Sequence, residues 1–459
     1  MTTEYEQTEQ QAAVCTAFRN GESMAVRAVA GSGKTATLVA AYQDAPQGAL
    51  ALAFNRKNAE DLAKKMPAHV VSRTMNSLGH RAWMKHLGKK VTLDTRKGWT
   101  LWNTYQHARQ LQADAPDIIK LVALAKSQGI SSGYASAPRP NLPLWAEIAE
   151  QFDIEDFESL APHAAWLLHE SAEKAFAGLI DFDDQIYMPV MYGSPFDRFQ
   201  CLAVDEAQDL SPLQHQMVAR SLRAGGQIVV VGDLNQAIYS FRGASSTSFG
   251  QLVERFALPI MPLTASFRCP RAVVREAQRY VPDIVAASER EGSVLRTLVA
   301  PKPRLHSTVL CRFNAPLVQL AFQAIKARVA VNYLGRDFLS GLKALHKKHS
   351  TPKELSAWFE NQKATVRTEG ALARATDRYE SLMSLHEEGD VDRALAELLE
   401  APKAHAFTLS TIHKAKGLEW QDVTYLNYHK QTQGDQENNM RYVGVTRAQQ
   451  TLTLHGVFE

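Results

Sequence analysis

A glycine-rich turn between an apolar run and a helical segment constrains the fold of this chain more than any other feature. The turn reads Ala28-Val29-Ala30-Gly31-Ser32-Gly33-Lys34-Thr35 and follows a strand predicted at 23–29. A helix is predicted to begin near Lys34, and this strand–turn–helix context is typical of a phosphate-binding P-loop. Lys34 would reach the β- and γ-phosphates of a nucleotide, and the Thr35 hydroxyl would ligate Mg²⁺. The predicted nucleotide-binding residues of the turn are Ala30, Gly31, Ser32, Gly33, Lys34 and Thr35.

Two adjacent carboxylates supply the expected second half of such a site. An apolar run at 201–204 ends in Asp205 and Glu206. Asp205 is predicted to hold Mg²⁺, and Glu206 is predicted to orient or deprotonate the attacking water. Acidic residues at a strand end also cap helices, but beside a P-loop the pair favours nucleotide hydrolysis.

The bulk composition bounds the class of protein. At about 100 to 200 residues per domain, 459 residues predict two to four domains. No apolar run approaches the roughly 18 to 20 residues of a membrane span, and residues 1–10 lack the apolar stretch of a signal peptide, so a cytoplasmic or nuclear compartment is expected. The net charge of +3 is mild, so any contact with a polyanion must be local. The four widely spaced cysteines are expected to be reduced and buried: Cys15, Cys201, Cys269 and Cys311.

Short apolar runs mark two sets of predicted strands. The first set lies at 23–29, 48–54, 201–204 and 227–231, and the second at 307–311, 406–411, 423–427 and 451–454. Buried parallel strands have this character, so two α/β halves are predicted. Residues 84–178 are helical in pattern and rich in Trp. Residues 341–402 are charged with helical periodicity at 371–385 and 391–399, and a solvated helical insert is expected there.

The motifs around these runs resemble those of the UvrD/Rep/PcrA type of superfamily 1A DNA helicases. Residues 205–209, Asp-Glu-Ala-Gln-Asp, resemble motif II, and residues 232–244, Gly-Asp-Leu-Asn-Gln-Ala-Ile-Tyr-Ser-Phe-Arg-Gly-Ala, resemble motif III. Further stretches resemble the Q motif (8–11), motif Ia (53–59), motif IV (266–268), motif V (411–419) and motif VI (442–448). All occur in the family's order over most of the chain. The sequence at 54–83 and 180–186 is most similar to the F-box DNA helicase branch and to phage relatives.

The resemblance implies an α/β fold of two RecA-like P-loop domains with helical insertions. The expected boundaries are 1–84 and 179–250 for domain 1A, 85–178 for a 1B-like insertion, 251–340 and 403–459 for domain 2A, and 341–402 for a short insertion in place of 2B. In larger members 2B regulates unwinding, so a monomer with a reduced 2B is expected to be less restrained.

The resemblance also assigns roles at the nucleotide. Gln10 would read the adenine and Phe267 would stack on it, although a plain hydrophobic contact is the alternative for Phe267. Gln236 would sense the γ-phosphate or the attacking water. Arg268 and Arg447 would act as arginine fingers that offset charge building on the transferred phosphoryl group. Glu419 would contact the ribose, with helix capping as the alternative.

A motor that moves along any sequence needs contacts that ignore base identity, and base stacking on aromatic rings provides them. By motif position, Phe54, Tyr239 and Phe241 would stack on bases, with core packing as the alternative for Phe54 and Phe241. Phe241 replaces the usual Trp of motif III. The residues implied to contact the DNA backbone or to lie on the DNA track are Arg56, Lys57, Thr74, Asn76, Arg242 and His413, with Asn76 where motif Ib usually has His. A moderate salt dependence of DNA affinity is expected.

The resemblance therefore implies an ATP-dependent 3′ to 5′ DNA helicase and single-stranded DNA translocase with ATP and Mg²⁺ as cofactors. Expected partners are single-stranded DNA, junctions of single- and double-stranded DNA, and replication or recombination proteins, with the chain monomeric and away from membranes. Two alternatives stay open: a translocase that removes proteins from single-stranded DNA with little unwinding, and a nucleotide-switched DNA-binding or loading module. RNA also stays open as a track.

Overall fold

The computed structural model describes residues 7–53, 55–109, 115–135, 142–151, 157–238, 247–365, 369–400, 406–427 and 435–456. The chain divides into two compact units. The first comprises Met1–Ala28 and Gly33–Leu263, and the second comprises Val29–Ser32 and Thr264–Glu459. Four residues of the predicted DNA track lie outside the described residues: Phe54, Tyr239, Phe241 and Arg242.

The first unit alternates strands and helices, and a run of helices interrupts it. Its strands are β1 Met24–Ala28, β2 Leu50–Ala53, β3 Val71–Thr74, β4 Thr92–Leu93, β5 Leu179–Ile180, β6 Phe199–Val204, β7 Leu222–Gly232 and β8 Ile260–Leu263. Its helices are α1 Glu9–Arg19, α2 Lys34–Ala41, α3 Arg56–Lys65, α4 Met75–Leu87, α5 Lys97–Arg109, α6 Ala115–Gln128, α7 Leu142–Gln151, α8 Phe157–Ala177, α9 Asp184–Met191, α10 Pro212–Ser221 and α11 Ser248–Phe256.

The main sheet of this unit has the strand order β3-β2-β6-β7-β1-β8, and each described pairing in it is parallel. Strand β2 is buried throughout, as are the last four residues of β6, which explains their uninterrupted apolar sequence. Because parallel strands end at the same edge of a sheet, β1, β7 and β6 deliver the turns that follow them to adjacent positions. This edge carries the P-loop, Asp233 and Asp205.

Helices cover both faces of the sheet. On one face α1 and α2 pack through residues such as Phe18, Leu38 and Ala41. On the other face the core runs from the sheet through α4 and α9 into the helical stretch α5–α8, where Trp102 and Trp145 are fully buried. The helical stretch is thus part of the hydrophobic core of the first unit.

The second unit is built on another parallel sheet, of order β11-β16-β15-β12-β14-β13. Its strands are β9 Ala265–Ser266, β10 Val285–Ala286, β11 Ser293–Thr297, β12 Thr308–Cys311, β13 Val331–Leu334, β14 Phe407–Thr411, β15 Trp420–Leu426 and β16 Ala448–His455. Its helices are α12 Arg271–Ala277, α13 Ala315–Lys326, α14 Arg336–Lys348, α15 Pro352–Thr365, α16 Glu369–Glu388, α17 Val391–Leu399, α18 Ile412–Ala415 and α19 Asp435–Val445.

The charged stretch that the sequence predicts as a solvated insert is helical, but it is not fully solvated. Leu342, Leu355, Leu382 and Leu395 are completely buried in the same core as Phe407 of the sheet. The charges lie on the outer faces of these helices, so composition alone conceals the apolar face that each helix buries.

Two parallel sheets flanked by helices confirm the predicted α/β fold class. The four cysteines are free and buried. Among the described residues, no helix combines the length and apolar character needed to cross a membrane.

Candidate nucleotide site and nucleic-acid groove

The P-loop turn places Lys34 at the start of α2. Gly31 and Gly33 have φ angles of 73° and 76°, in the left-handed region that glycine adopts without strain. In the first unit the Lys34 ammonium lies 3.0 Å from Glu206 Oε1, and the two side chains are only 12% and 21% exposed. Burial disfavours the ammonium, but the charges of Glu206, Asp233 and Asp205 outweigh it and raise the pKa of Lys34.

Asp205 lies beside this pair at the end of β6. Burial and the charge of Glu206 raise the pKa of Asp205 to about 6, although Lys34 and a hydrogen bond from Thr35 act in the opposite direction. The structure therefore brings together the predicted catalytic residues Lys34, Asp205 and Glu206 and the predicted metal-holding hydroxyl of Thr35. An aspartate and a hydroxyl side by side are oxygen donors of the kind that Mg²⁺ prefers.

Gln208 joins motif II to the neighbouring strand. Its Nε2 donates to Glu206 Oε2 at 2.6 Å, and its Oε1 accepts from the backbone N–H of Asp233 at 3.0 Å. Glu206 itself has a φ of 55°, a left-handed conformation that is uncommon for a non-glycine residue. The side-chain amide of Gln208 therefore helps to hold a strained catalytic candidate in place.

Gln236 enters the same cluster through Asp233. Its Nε2 donates to Asp233 Oδ2 at 2.6 Å, and both side chains are buried. Burial raises the pKa of Asp233 to about 6, while the charge of Lys34 and the Gln236 amide pull it down. Asp233 and Gln208 are not among the site residues predicted from the sequence. A signal was available for Asp233, because it follows an apolar strand as Asp205 does.

The residues predicted to hold the adenine are partly accessible in their own units. Gln10 lies in the first turn of α1 and is half-buried. Its neighbour Gln11 is used by the helix itself, since it forms a capping box with Thr8. In the second unit Phe267 is 37% exposed, which leaves part of its ring open to a ligand.

In the second unit Arg268 and Glu419 form an ion pair, with Arg268 Nε 2.5 Å from Glu419 Oε2. Gln449 Nε2 donates to the other oxygen of Glu419 at 2.8 Å, and a second nitrogen of Arg268 donates to the Thr446 carbonyl at 3.3 Å. Two residues predicted to contact the nucleotide, from motifs IV and V, are therefore brought together.

Arg447 is placed differently, because its side chain is buried at 1% exposure. Its guanidinium donates to the carbonyls of Val443 at 2.8 Å and Leu418 at 3.1 Å, and to the Thr446 hydroxyl at 3.1 Å. These bonds hold motif VI against the residue just before Glu419.

The segment Val29–Ser32 groups with the second unit and is held there by its backbone. The Ala30 N–H donates to Tyr442 Oη at 2.8 Å, and the Ala30 carbonyl accepts from Ser266 Oγ at 2.8 Å. The Phe267 N–H donates to the Gly31 carbonyl at 2.9 Å. Residues of motifs IV and VI therefore contact this part of the predicted phosphate cradle.

A groove of about 1250 Å³ opens on the first unit. Three residues of the predicted DNA track line it: Arg56, Thr74 and Asn76. Residues that sequence analysis does not single out also line it, among them Arg73, Lys120, Phe182 and Asp209. The Phe182 side chain is 53% exposed, which leaves its ring available for stacking.

The polar groups at the groove are partly used by the protein. The Thr74 hydroxyl accepts from the Ser77 N–H at 3.1 Å and caps α4. Asn76 Nδ2 donates to the Phe182 carbonyl at 2.8 Å. Arg56 is highly exposed and pairs with Glu60 at 2.7 Å.

The remaining described members of the predicted DNA track lie elsewhere. Lys57 is exposed beside Arg56 on α3. His413 lies on α18 of the second unit and is half-buried.

The groove aromatic has a weak signal in the sequence. Phe182 lies in the run Asp181-Phe182-Asp183-Asp184. A phenylalanine flanked by acidic residues is less expected in a hydrophobic core than on a surface. Nothing in that run predicts the direction of its side chain, which the fold of the turn decides.

The family model of the UvrD/REP helicase N-terminal domain matches residues 6–257, more than half of the chain. That of the UvrD-like helicase C-terminal domain matches residues 406–455. The ATP-dependent DNA helicase UvrD2 of Mycobacterium tuberculosis is 26% identical over 94% of this chain and 76% of that protein. F-box DNA helicase protein 1 of Schizosaccharomyces pombe is 23% identical over 95% of this chain and 56% of that protein. DNA helicase IV of Escherichia coli is 28% identical over 52% of this chain and 42% of that protein.

These matches confirm the resemblance stated from the motifs, and with the two parallel sheets they confirm the predicted fold of two RecA-like domains. The chain belongs to the UvrD/Rep family and is an ATP-dependent DNA helicase.

Proposed function

We propose that this helicase uses ATP to move 3′ to 5′ along single-stranded DNA and to separate duplexes at junctions. The observation that carries the proposal is the course of residues 205–209. Glu206 pairs with Lys34 in the nucleotide site, Gln208 Nε2 contacts Glu206 at 2.6 Å and Asp209 at 3.4 Å, and Asp209 lines the groove. A change at the nucleotide is thereby linked to the groove through three consecutive side-chain contacts.

At the nucleotide, the P-loop residues 30–35 would hold the phosphates, and Thr35 and Asp205 would hold Mg²⁺. When bound, the metal neutralises phosphate charge during phosphoryl transfer. Glu206 would orient or deprotonate the attacking water, and Gln236 would respond to the γ-phosphate through Asp233. The Lys34–Glu206 ion pair supports these roles, because an incoming phosphate would compete for Lys34 and free Glu206 for the water.

For the residues around the base and the ribose, the support is the exposure of their side chains. Gln10 and Phe267 are partly accessible for adenine, and Glu419 for ribose. Arg268 and Arg447 would offset the charge that builds on the phosphoryl group. In Arg447 this role requires the guanidinium to exchange carbonyl partners for phosphate oxygens.

At the DNA, the part of the groove lining that the structure describes offers the Phe182 ring and several cations. Phe182 would stack on a base, as Phe54, Tyr239 and Phe241 would by motif position. Arg56, Lys57, Arg73, Arg242 and His413 would contact phosphates. Stacking and phosphate contacts are both indifferent to sequence, which suits a translocating protein.

The domain organisation is also part of the proposal. Domain 1A comprises 1–84 and 179–250, 1B comprises 85–178, 2A comprises 251–340 and 403–459, and a short 341–402 stands in place of 2B. We propose that the chain acts as a monomer, and that replication or recombination proteins bring it to its substrate.

Steady-state ATP hydrolysis with and without single-stranded DNA tests the motor. DNA should stimulate turnover, and Lys34→Ala should abolish it while circular dichroism stays that of the wild type. Absence of stimulation would contradict the motor and favour the nucleotide-switched binding module. Matched RNA oligonucleotides in the same assay decide between the two tracks.

Polarity and output need a second assay. Displacement of streptavidin from the 5′ end but not the 3′ end of a biotinylated strand is the expected result for 3′ to 5′ movement. Single-turnover unwinding of a forked duplex should succeed at protein concentrations where the chain is monomeric. Displacement of a bound protein without unwinding would instead favour the translocase that strips proteins from DNA.

A further inference from the structure

The groove aromatic Phe182 lies at the tip of a turn that closes on itself. The Asp184 N–H donates to Asp181 Oδ1 at 2.8 Å, and the Asp181 N–H donates to Asp184 Oδ2 at 2.9 Å. These reciprocal bonds satisfy two backbone donors and fix both ends of a four-residue turn. Phe182 and Asp183 are exposed between them. The turn precedes α9, so its position also sets the start of that helix.

The two aspartates of the turn are held by two buried lysines from the helical stretch. Lys97 of α5 pairs with Asp184, and both side chains are fully buried. Lys126 of α6 lies 2.7 Å from Asp181 Oδ2 and 2.8 Å from Asp184 Oδ1. The network is completed by Ser171 of α8, whose carbonyl accepts from Lys97 at 2.6 Å and whose hydroxyl accepts from Lys126 at 2.9 Å.

Joining helices through buried charged side chains has a large desolvation cost in free energy. Apolar side chains of similar volume would pack these elements as well or better, because each buried ion loses its hydration. Ion pairs have a direction, however, that apolar contacts lack. The lysines can satisfy both carboxylates only when the turn sits in one place, so the network specifies the position of the turn.

A separate contact holds the same turn through its backbone. Asn76, in the first turn of α4, donates to the Phe182 carbonyl at 2.8 Å. Its side-chain amide is thus directed at the turn, and both Asn76 and Phe182 line the groove.

We infer that Lys97, Asp184 and Asn76 are positioning residues for DNA binding, which anchor the Asp181–Asp184 turn so that the Phe182 ring stays in the groove and stacks on a DNA base. The helical stretch thereby acts on the DNA track through the turn. The inference rests on the proposed function, since it requires a single strand in the groove.

The test uses single-stranded oligonucleotides that carry the fluorescent base 2-aminopurine at successive positions, with the full chain. Phe182→Ala should weaken binding about tenfold and remove the fluorescence change at one position, as loss of one stacked base implies. The double substitution Lys97→Met with Asp184→Asn removes one positive and one negative charge and keeps Phe182. It should also weaken binding about tenfold and remove the fluorescence change at the same position. Adding Phe182→Ala to that pair should weaken binding no more than about twofold further.

A matched control separates anchoring from general destabilisation. Arg220 holds the other end of α9 through the carbonyls of Pro189, Val190 and Ser194. Arg220→Met should lower the thermal midpoint yet keep the fluorescence change at the Phe182 position. Asn76→Ala provides a second route that leaves the buried charges intact, and it should reproduce part of the Phe182→Ala effect even if the buried pair does not fold.

The inference is overturned if the pair Lys97→Met with Asp184→Asn, combined with Phe182→Ala, weakens DNA binding about a hundredfold, because the two effects would then be independent. It is likewise overturned if both the pair and Asn76→Ala keep the fluorescence change at the Phe182 position, as Arg220→Met should. It is also overturned if Phe182→Ala binds DNA as the wild type does while DNA still stimulates ATP hydrolysis. Failure of the proposed function gives a different result, because wild-type hydrolysis would then not respond to single-stranded DNA at all.

Discussion

At the scale of single residues, Gln208 is the contact on which the link between motifs II and III depends. Its amide holds Glu206 on one side and the Asp233 backbone on the other. A hydrogen bond to a charged group contributes about 1.5 to 3 kcal/mol, so Gln208→Ala should lower the kcat of DNA-stimulated hydrolysis about 10- to 100-fold. The KM for ATP should change less, because the P-loop is untouched.

Steady-state kinetics of Gln208→Ala measure this effect, and Gln227→Ala is its control. Gln227 lies on β7 and donates to the carbonyls of Phe18 and Glu22, away from the nucleotide site. Its loss should leave kcat unchanged. Equal effects of the two substitutions would indicate that Gln208 acts through stability alone.

His215 is a buried residue whose charge state links stability to pH. Its Nε2 lies 2.8 Å from Ser248 Oγ, and the Ser248 hydroxyl donates to the Ala207 carbonyl at 2.7 Å. The serine proton is therefore in use, and His215 must donate. Burial, aided by the charge of Arg255, lowers the pKa of His215 to about 4.

The depressed pKa of His215 predicts a loss of stability in acid. The unfolded chain takes up a proton at about pH 6.5, whereas the folded chain does so only near pH 4, so the free energy of unfolding falls between these values by about 1.4 kcal/mol per pH unit. His215→Gln removes the group that titrates but keeps an N–H donor for the Ser248 hydroxyl. Urea denaturation at pH 7.5, 6 and 5 should show a flatter pH dependence for the variant, and parallel curves would refute the assignment.

Individual residues differ in how far the sequence could predict them. Lys34, Asp205 and Glu206 are brought together as predicted, because parallel strands end at one edge and strand-end residues must meet there. Phe182 and Gln208 depend instead on the path of a turn and on a side-chain rotamer. No periodic pattern encodes either of these.

At the scale of elements, α4 and α9 pack against each other, and both contribute residues to the groove lining. A Cβ on Gly79 of α4 would lie 1.9 Å from the Gln185 carbonyl oxygen of α9 and 2.8 Å from Met217. Gly79→Ala must therefore push the helices apart, and overpacking of this kind costs about 1 to 3 kcal/mol. Thermal unfolding should show the loss, and DNA affinity should fall because α4 carries Asn76.

Gly98 on α5 is the matched control. A Cβ there would meet only Ile119 Cγ2, at 3.9 Å. Gly98→Ala should be neutral or stabilise the fold by up to about 1 kcal/mol, since Ala favours helices. If both glycine variants retained full stability, the close approach of α4 to α9 would be wrong.

Elements with a strong repeating pattern were the predictable ones. The helix predicted at 391–399 coincides with α17, and that at 371–385 lies within α16. The buried leucines of the 341–402 stretch were not predicted, because charged residues dominate its composition. The apolar face of each helix appears only in the helical periodicity of that helix taken alone.

At the scale of the whole molecule, a net charge of +3 predicts that DNA binding depends on salt only moderately. Within the groove, the cations Arg56, Arg73 and Lys120 lie among acidic residues such as Glu60, which pairs with Arg56, and Asp209. Each phosphate neutralised on a single strand contributes about −0.7 to the slope of log K against log salt. If two to four cations of the whole DNA track each neutralise one phosphate, the slope lies between about −1.4 and −2.8.

Two substitutions separate the electrostatic part of this affinity from the stacking part. Arg73→Gln removes one cation at the groove, so it should reduce the magnitude of the salt slope by about 0.7. Phe182→Ala removes a ring and no charge, so it should weaken binding about tenfold at every salt concentration and leave the slope unchanged. Fluorescence anisotropy titrations from 50 to about 300 mM salt measure both quantities. If Arg73→Gln leaves the slope unchanged, the DNA phosphates do not lie in this groove. Loss of a cation that neutralises a phosphate reduces the number of counterions released on binding, and the slope measures that number.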